Sequence, residues 1–325
     1  MIKVAVDASG GDFGPKHTVY GSSLALSMNP DLKCLFFGIP EQIEQAIPDF
    51  VDRNRIEIIS ADEVIKDEEN PLTAVRKKKN SSMIKGLKAV AEGQADSFVS
   101  AGNSGAIFTG ALSIVGTLQE VKRPASVTML PTISDSYYLL IDSGANILSK
   151  PEHLITYARL GSKLAEQLLG ISNPKIGLLN IGTEASKGTS FTKEVYQLLS
   201  DEKNVNFTGN IEPSILLHGT HDIVLTDGFT GNIMLKTIEG TAGILFNDLL
   251  HTIKSEANLN KTAEKTVEGL IQSNIARYTN ETIGGGFILG IKAPVVITHG
   301  AASEKMFQHS VELASKLARS NSFQG

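Results

Sequence analysis

Ile2-Lys3-Val4-Ala5-Val6-Asp7-Ala8-Ser9-Gly10-Gly11-Asp12 opens the chain and sets the reading of all that follows. A short β-branched run ends on an acid, drops into a small polar turn with two glycines, and leads to a helical stretch. The same phrase returns five times: at Ser100-Ala101-Gly102-Asn103-Ser104-Gly105, Asp142-Ser143-Gly144-Ala145-Asn146, Asn180-Ile181-Gly182-Thr183-Glu184-Ala185-Ser186-Lys187-Gly188, Thr226-Asp227-Gly228-Phe229-Thr230-Gly231-Asn232 and Thr298-His299-Gly300-Ala301-Ala302-Ser303. Strand–turn–helix alternation is the pattern of a layered α/β fold. In open α/β sheets ligands bind beyond the carboxyl ends of strands. Glycine lets the backbone approach a ligand closely, and helix N-termini offer free N–H groups. Six such loops predict a single anion-binding cleft and an enzyme that handles phosphate or another small oxyanion.

Working outward, strands are predicted over 2–7, 33–38, 55–59, 97–100, 125–130, 138–142, 175–180, 205–207, 223–226 and 295–298. Helices are predicted over 18–28, 82–92, 104–118, 151–169, 191–199, 232–254, 262–276 and 303–319. The short turn Pro131-Thr132-Ile133-Ser134-Asp135 predicts an antiparallel hairpin, so the sheet should be mixed and mostly parallel. Residues 62–79 read as a long surface loop, and 320–325 as a frayed tail. Residues 1–325 read as a single domain. Within it, 232–276 form two helices with apolar residues at helical spacing (Met234, Ile238, Ala242, Leu245 and Leu249 on the first). That stripe packs either on the sheet or across a homodimer. The polar turn between the helices argues against strong membrane insertion.

Composition narrows the class. The 325 residues are 41% hydrophobic and 20% charged, as in ordinary globular domains. A net charge of −5 gives no global attraction to nucleic acid. The one cysteine, Cys34, lies in an apolar run and reads as a buried hydrophobe. No cysteine cluster suggests zinc or iron–sulfur chemistry, and no cofactor is expected. There is no secretory signal and no stretch long enough to span a bilayer, so a cytoplasmic location is expected. Walker A, G-x-G-x-x-G, H-E-x-x-H and G-x-S-x-G are all missing. What remains is direct transfer to or from a bound anion.

The loops supply the candidates. Gly228, Thr230, Gly231 and Asn232 could cradle an anion, with Asp227 orienting a partner, or simply begin a helix. Gly102, Asn103, Ser104 and Gly105 share that layout, and Gly105 at a helix start costs about 1 kcal/mol relative to Ala. Asp142 is a ligand or an Asx-turn former. The Asn180 loop carries both an acid, Glu184, and a base, Lys187, which could stabilise an oxyanion or stay solvated. His299 is an acid/base or a helix cap.

Taken in order, these segments resemble the PlsX-type phosphate acyltransferases of bacterial phospholipid synthesis over essentially the whole chain. The resemblance rests on Val6-Asp7-Ala8 with Gly10-Gly11-Asp12, Arg76 with Asn80-Ser81-Ser82-Met83, Ser100 to Ala106, Gly144-Ala145-Asn146, Gly177 to Gly182, Gly209 to Glu212, Asp227 to Asn232, and Lys292-Ala293-Pro294 with His299-Gly300. It implies a three-layer α/β/α sandwich like the isocitrate and isopropylmalate dehydrogenases, with a projecting helical hairpin at a homodimer tip. It implies transfer of a long fatty acyl group from acyl carrier protein to inorganic phosphate, giving acyl phosphate for a downstream glycerol-3-phosphate acyltransferase. It leaves weak peripheral membrane contact open.

On that resemblance, phosphate is expected among Gly10, Gly11, Asn103, Ser104, Gly231 and Asn232. Asp7, Asp12, Asp142, Asn146, Asn180, Glu184 and His299 complete the substrate site. Lys187, Asp227 and Asn232 are the expected catalytic residues. The acyl tail needs an apolar slot along helix 107–118 or 233–244. An acidic carrier protein meeting an acidic enzyme requires a local basic patch, with Arg76, Lys77, Lys78, Lys79, Lys122 and Arg123 as candidates. A phosphate acetyltransferase, a non-enzymatic acyl-binding scaffold and a dehydrogenase of related fold stand as rivals.

Overall fold

The computed structural model describes residues 1–255, 261–278 and 282–323. One mixed sheet of eleven strands organises them, in the order β3-β2-β1-β4-β11-β10-β5-β6-β9-β7-β8. The strands are β1 (Ile2–Asp7), β2 (Leu32–Gly38), β3 (Ile56–Ser60), β4 (Ser97–Ser100), β5 (Ala125–Pro131), β6 (Tyr137–Ile141), β7 (Lys175–Leu179), β8 (Asn206–Ile211), β9 (Ile223–Leu225), β10 (Gly286–Leu289) and β11 (Val295–Ile297). The helices are α1 (Pro15–Met28), α2 (Pro40–Ala46), α3 (Pro71–Lys77), α4 (Ser82–Ala91), α5 (Ser104–Gly110), α6 (Pro151–Leu169), α7 (Ser190–Asp201), α8 (Gly228–Ser255), α9 (Lys261–Tyr278) and α10 (Glu304–Arg319). The predicted β5–β6 hairpin is present, with Val127 opposite Ile141.

Local chemistry sets the helix starts. Pro15, Pro40, Pro71 and Pro151 each stand in a first helical turn, where a missing N–H costs nothing. Asn70, Ser81, Asn103, Thr189 and Ser303 each accept a hydrogen bond from the N–H three residues on. α3 therefore occupies part of the segment expected to be loop, with Asn70-Pro71 acting as a start signal. The helix expected over 104–118 ends sooner: α5 passes into a π-helical turn, Ala111–Val115, and stops at Gly116, whose φ is 82°. β10 escaped the sequence reading behind three glycines, yet it is paired on both sides. The tail is not frayed through 323, because Phe323 is buried in the core. Residues 324 and 325 lie outside the described residues.

Strand direction matters most for function. β1, β4 and β11 run parallel, so Asp7, Ser100 and Ile297 end at one edge. β10 reverses, β5 reverses again, and β6 reverses once more. β6, β9, β7 and β8 then run parallel to one another and opposite to β1. The six loops thus form two groups at opposite edges of the hydrogen-bonded order. The alternation of strands and turns in the sequence does not reveal where the sheet reverses.

Candidate active site

The first group gathers around Asp7. Its carboxylate is 1% exposed. Ser100 donates to Oδ2 at 2.6 Å, while Oδ1 has no partner in hydrogen-bonding geometry. Burial pushes the Asp7 pKa up, opposed by Ser100, Ser82 and the nearby N–H groups of Ser9 and Gly10. Gly11 has φ 80°, and a Cβ there would meet Ala101 Cβ and the Gly300 carbonyl at 2.9 Å. Glycine is required on both counts. Asp12 N–H donates to Gly300 O at 2.8 Å, which joins the first loop to the His299 loop. His299 itself is exposed.

Asn103 does not present its amide to a ligand. Oδ1 caps α5 through the Ala106 N–H at 2.9 Å, and Nδ2 donates to the carbonyls of Lys66, Asp67 and Glu69. Its place in the phosphate site is corrected to that of a clamp on the 66–69 loop. Ser104 beside it is exposed.

An acid raised by burial binds its proton more tightly folded than unfolded. Stability from Asp7 is therefore full below its unfolded pKa near 3.9 and falls as pH rises through the folded value. Asp7→Asn keeps an acceptor for Ser100 and removes the buried charge. Its urea midpoint should exceed the wild type's at pH 8, and the difference should shrink towards pH 4. A variant less stable than wild type at pH 8 contradicts this account.

The second group is built on Asp142, which is fully buried. Oδ1 accepts from the N–H groups of Ser126, Gly144 and Ala145, and Oδ2 accepts from the N–H and the Nδ2 of Asn146. Burial pushes its pKa up, and those donors oppose the shift. Asn146 also donates to Pro124 O and reaches Tyr157 Oη. Both oxygens of Asp142 and the Nδ2 of Asn146 are thus engaged within the protein. Both were expected as substrate ligands; the structure makes them the post on which the 143–150 loop turns.

The loop expected over 227–232 is the first turn of α8. Asp227 accepts from the Thr230 N–H at 2.9 Å and from its hydroxyl at 2.7 Å. Gly231 N–H donates to Asp227 O and Gly228 N–H to Asn146 O, so neither glycine offers an N–H to an anion. Their smallness has another cause: a Cβ on Gly231 would overlap the Asp142 carbonyl, and one on Gly228 would meet the Asn146 backbone at 2.6 Å. Asn232 donates to Ser143 O at 3.2 Å and ties α8 to the Asp142 loop.

Asn180, at the end of β7, accepts from the Ile181 N–H and donates to Lys187 O at 3.3 Å, closing its own loop. Gly188, with φ 86°, lies against that side chain. Lys187 and Glu184 face each other at 3.9 Å, and both are about half exposed. An exposed pair of this kind contributes little stability, so Lys187 is available at the surface of this group.

Beside the second group runs a groove of about 1050 Å³. At its polar end are Asn180, Gly188, Asp227 and Thr230. Along it lie Leu179, Leu216, Ile233, Met234, Ile238 and Leu245, and at the far end Phe246 and Tyr278, whose rings stack at 6.0 Å. Among the described residues, none that lines the groove comes from 7–12, 100–105 or 298–303. The sequence offered two helices for an apolar slot. The groove follows α8, while Ile107, Ala111 and Val115 are buried in the core. The groove's other side comes from β7, which was predicted as a strand, and from the 213–218 turn, which was not assigned to the slot.

The sequence of residues 2–324 matches the model of the fatty acid synthesis protein family. The chain belongs to that family. It is 41% identical to the phosphate acyltransferase of Bacillus licheniformis over 320 residues, covering 98% of this chain and 96% of that protein. It is 39% identical to the phosphate acyltransferase of Bacillus subtilis over 320 residues, covering 98% and 95%. Against the phosphate acyltransferase of Staphylococcus aureus (strain MRSA252) the identity is 40% over 318 residues, covering 97% and 94%.

Solved structures share the fold at much lower identity. A branched-chain phosphotransacylase from Enterococcus faecalis superposes with a TM-score of 0.61 at 18% identity, covering 98% of this chain and 100% of that one. A 4-hydroxythreonine-4-phosphate dehydrogenase from Burkholderia phymatum gives 0.51 at 14%, covering 97% of each. A dehydrogenase thus shares the general α/β fold of this chain. Among the described residues no cluster of His, Cys, Asp or Glu is arranged to hold a metal, and no helix is long and apolar enough to cross a membrane.

Proposed function

We propose that this protein moves a long fatty acyl group from acyl carrier protein to inorganic phosphate. The observation that carries the reading is the groove of about 1050 Å³, apolar along its length and polar at one end. α8 spans residues 229–246 beside it, about 26 Å at the rise of an α-helix. An acetyl group would leave nearly all of that space empty. The 41% identity to a phosphate acyltransferase supports the same reaction class.

In this reading the thioester carbonyl lies at the polar mouth, with the chain along α8. A phosphate oxygen attacks the carbonyl carbon. The C–O bond forms, the C–S bond breaks, and the thiolate takes a proton released from phosphate. A thiol pKa near 8.5 makes the leaving group a good one, so no strong general acid is needed. Lys187 and Asn232 stabilise the tetrahedral oxyanion, and Asp227 holds Thr230 at the groove's edge. Holding the two reactants together supplies much of the acceleration.

The test is product formation. Palmitoyl-acyl carrier protein with phosphate should release free thiol and an acyl phosphate trapped as its hydroxamate, faster than acetyl-CoA does. Preference for acetyl-CoA moves the assignment to an acetyltransferase, and no turnover with either leaves a scaffold. Lys187→Met should lower kcat about 10²-fold, the usual effect of losing one oxyanion donor. Thermal stability should stay within about 0.5 kcal/mol of wild type, because the Glu184 pair is exposed.

α8 and α9 are proposed as the projecting hairpin of the dehydrogenase-like architecture. They pack on each other and are linked by Lys254–Glu268 at 3.1 Å. Its turn lies outside the described residues. Ile244, Leu245, Leu249 and Leu270 are exposed on the pair, which supports a homodimer covering this face. The acyl phosphate would pass in the cytoplasm, or at a membrane surface touched weakly, to a glycerol-3-phosphate acyltransferase.

A further inference from the structure

We propose that Lys122, Arg123 and Lys150, together with the apolar pair Ile147 and Leu148, form the surface on which the acidic carrier protein docks. This rests on the acyl-transfer reading above and gives it a location.

Ile147 is 71% exposed and Leu148 90% exposed. Their loop is nonetheless pinned. Asp142 holds the N–H groups of Gly144, Ala145 and Asn146 just before them, and His153 Nδ1 accepts from the Lys150 N–H at 3.2 Å just after them. Two large apolar side chains are thus held in water by a rigid loop, which is how a contact surface is built in advance of its partner.

Cations stand beside the loop that carries the pair: Asn146 Nδ2 donates to Pro124 O, next to Arg123, at 2.8 Å. Lys122 and Arg123 come from the connection before β5, anchored where Tyr157 Oη donates to Arg123 O at 3.0 Å. Lys150 closes the loop. All three are exposed. His153 reports their convergence: burial lowers its pKa first, Glu152 pulls the other way, and the charges of Arg123, Lys150 and Lys122 lower it further. Those three cations therefore lie within electrostatic reach of one imidazole.

The surface also adjoins the groove. Leu154, one residue beyond His153, lines it. Asn146 O accepts from the Gly228 N–H, and Ser143 O accepts from Asn232 Nδ2. A protein seated on Ile147 and Leu148 would hand its thioester to the mouth that Asp227 and Thr230 edge. With a net charge of −5, the enzyme needs such a local reversal of sign to attract an acidic partner. The other basic run is less suited. Lys78 is tied to Glu69 at 2.6 Å and to Val64 O, and α3 packs on α5 beside the Asn103 clamp, in the group of loops that contributes nothing to the groove. Two apolar side chains are too few to anchor a membrane, and the broad exposed face of α8 suits a second copy better.

The experiment compares wild type with a triple variant (Lys122→Glu, Arg123→Glu and Lys150→Glu), with Leu148→Asp, and with a control triple (Arg76→Glu, Lys77→Glu and Lys79→Glu). Binding of unacylated carrier protein is measured by calorimetry. Turnover is measured with palmitoyl-carrier protein and with palmitoyl-CoA. The first triple should weaken carrier binding and raise its KM at least about ten-fold at low salt, with kcat little changed. Its palmitoyl-CoA turnover should match wild type, as should the control triple throughout. Leu148→Asp should also weaken carrier binding, through a lost apolar contact and an added negative charge facing an acidic partner.

Unchanged carrier binding in the first triple overturns the proposal. So does an equal loss on palmitoyl-CoA, a loss confined to the control triple, or a loss of dimerisation or of anionic-vesicle binding with carrier kinetics intact. Wild type that binds carrier and makes no acyl phosphate overturns the functional reading alone.

Discussion

Thr237→Trp is expected to lower kcat/KM for a palmitoyl donor by about three orders of magnitude while leaving a butyryl donor nearly untouched. Thr237 lines the groove on α8, ten residues beyond Asp227 at the polar mouth. An indole there would block the passage between the mouth and the Phe246–Tyr278 end. Each buried methylene contributes about 0.8 kcal/mol, so excluding roughly six forfeits about 5 kcal/mol. A short chain stops before the obstruction and keeps its contacts. The side chain faces solvent in the free protein, so folding should be unaffected. Equal loss on both donors would mean that the acyl chain lies elsewhere. Phe246→Ala is the complement: opening the far end should move the preferred chain length upward and leave the rate with the original donor close to wild type.

Much of this fold was legible because its signals are local. A β-branched run ending on a small polar turn, a proline or an Asn/Ser cap, and apolar spacing along a helix each act within a few residues. Cys34 is an example: an apolar run predicted burial, and burial pushes its thiol up to about 12. What escaped depends on partners far along the chain. β10 is a strand because β5 and β11 flank it, not because Gly284-Gly285-Gly286 favours one. The split of the loops into two groups depends on three consecutive reversals in the sheet, of which only the β5–β6 turn left a mark in the sequence.

The candidate site shows the same division. Residue types were informative, and their tasks were not. Asp142, Asn146, Asn103 and Asn180 all sit at strand ends, where both ligands and turn-formers are found. A sequence cannot say whether a carboxylate's donors come from a substrate or from its own loop. The glycines at 228 and 231 were read as phosphate donors, yet their N–H groups are occupied and their lack of a side chain lets α8 press against the Asp142 loop. The groove was half legible: the α8 stripe was visible, and its opposite wall needed the sheet.

Asp142→Ala is expected to cost about 3 kcal/mol or more of stability, since hydrogen bonds to a charged group contribute about 1.5–3 kcal/mol each. Five donors would lose their acceptor, two of them, the N–H and the side-chain amide of Asn146, in fully buried bonds; the others are the N–H groups of Ser126, Gly144 and Ala145. A buried unsatisfied donor costs about 1–3 kcal/mol, and relaxation of the loop would recover part of the sum. Asp142→Asn should fall between wild type and Ala, since its oxygen still accepts while its amide confronts the donors of Asn146. Urea denaturation reads these differences directly. Activity should fall with stability in both variants, because Ser143 O positions Asn232 and Asn146 O positions the first turn of α8. Gly231→Ala offers an independent check. It leaves Asp142 in place and forces a methyl against its carbonyl oxygen, so it too should destabilise the protein and open the mouth of the groove. If Asp142→Ala lost activity and kept its urea midpoint, the carboxylate would belong to the chemistry and its five hydrogen bonds would be incidental.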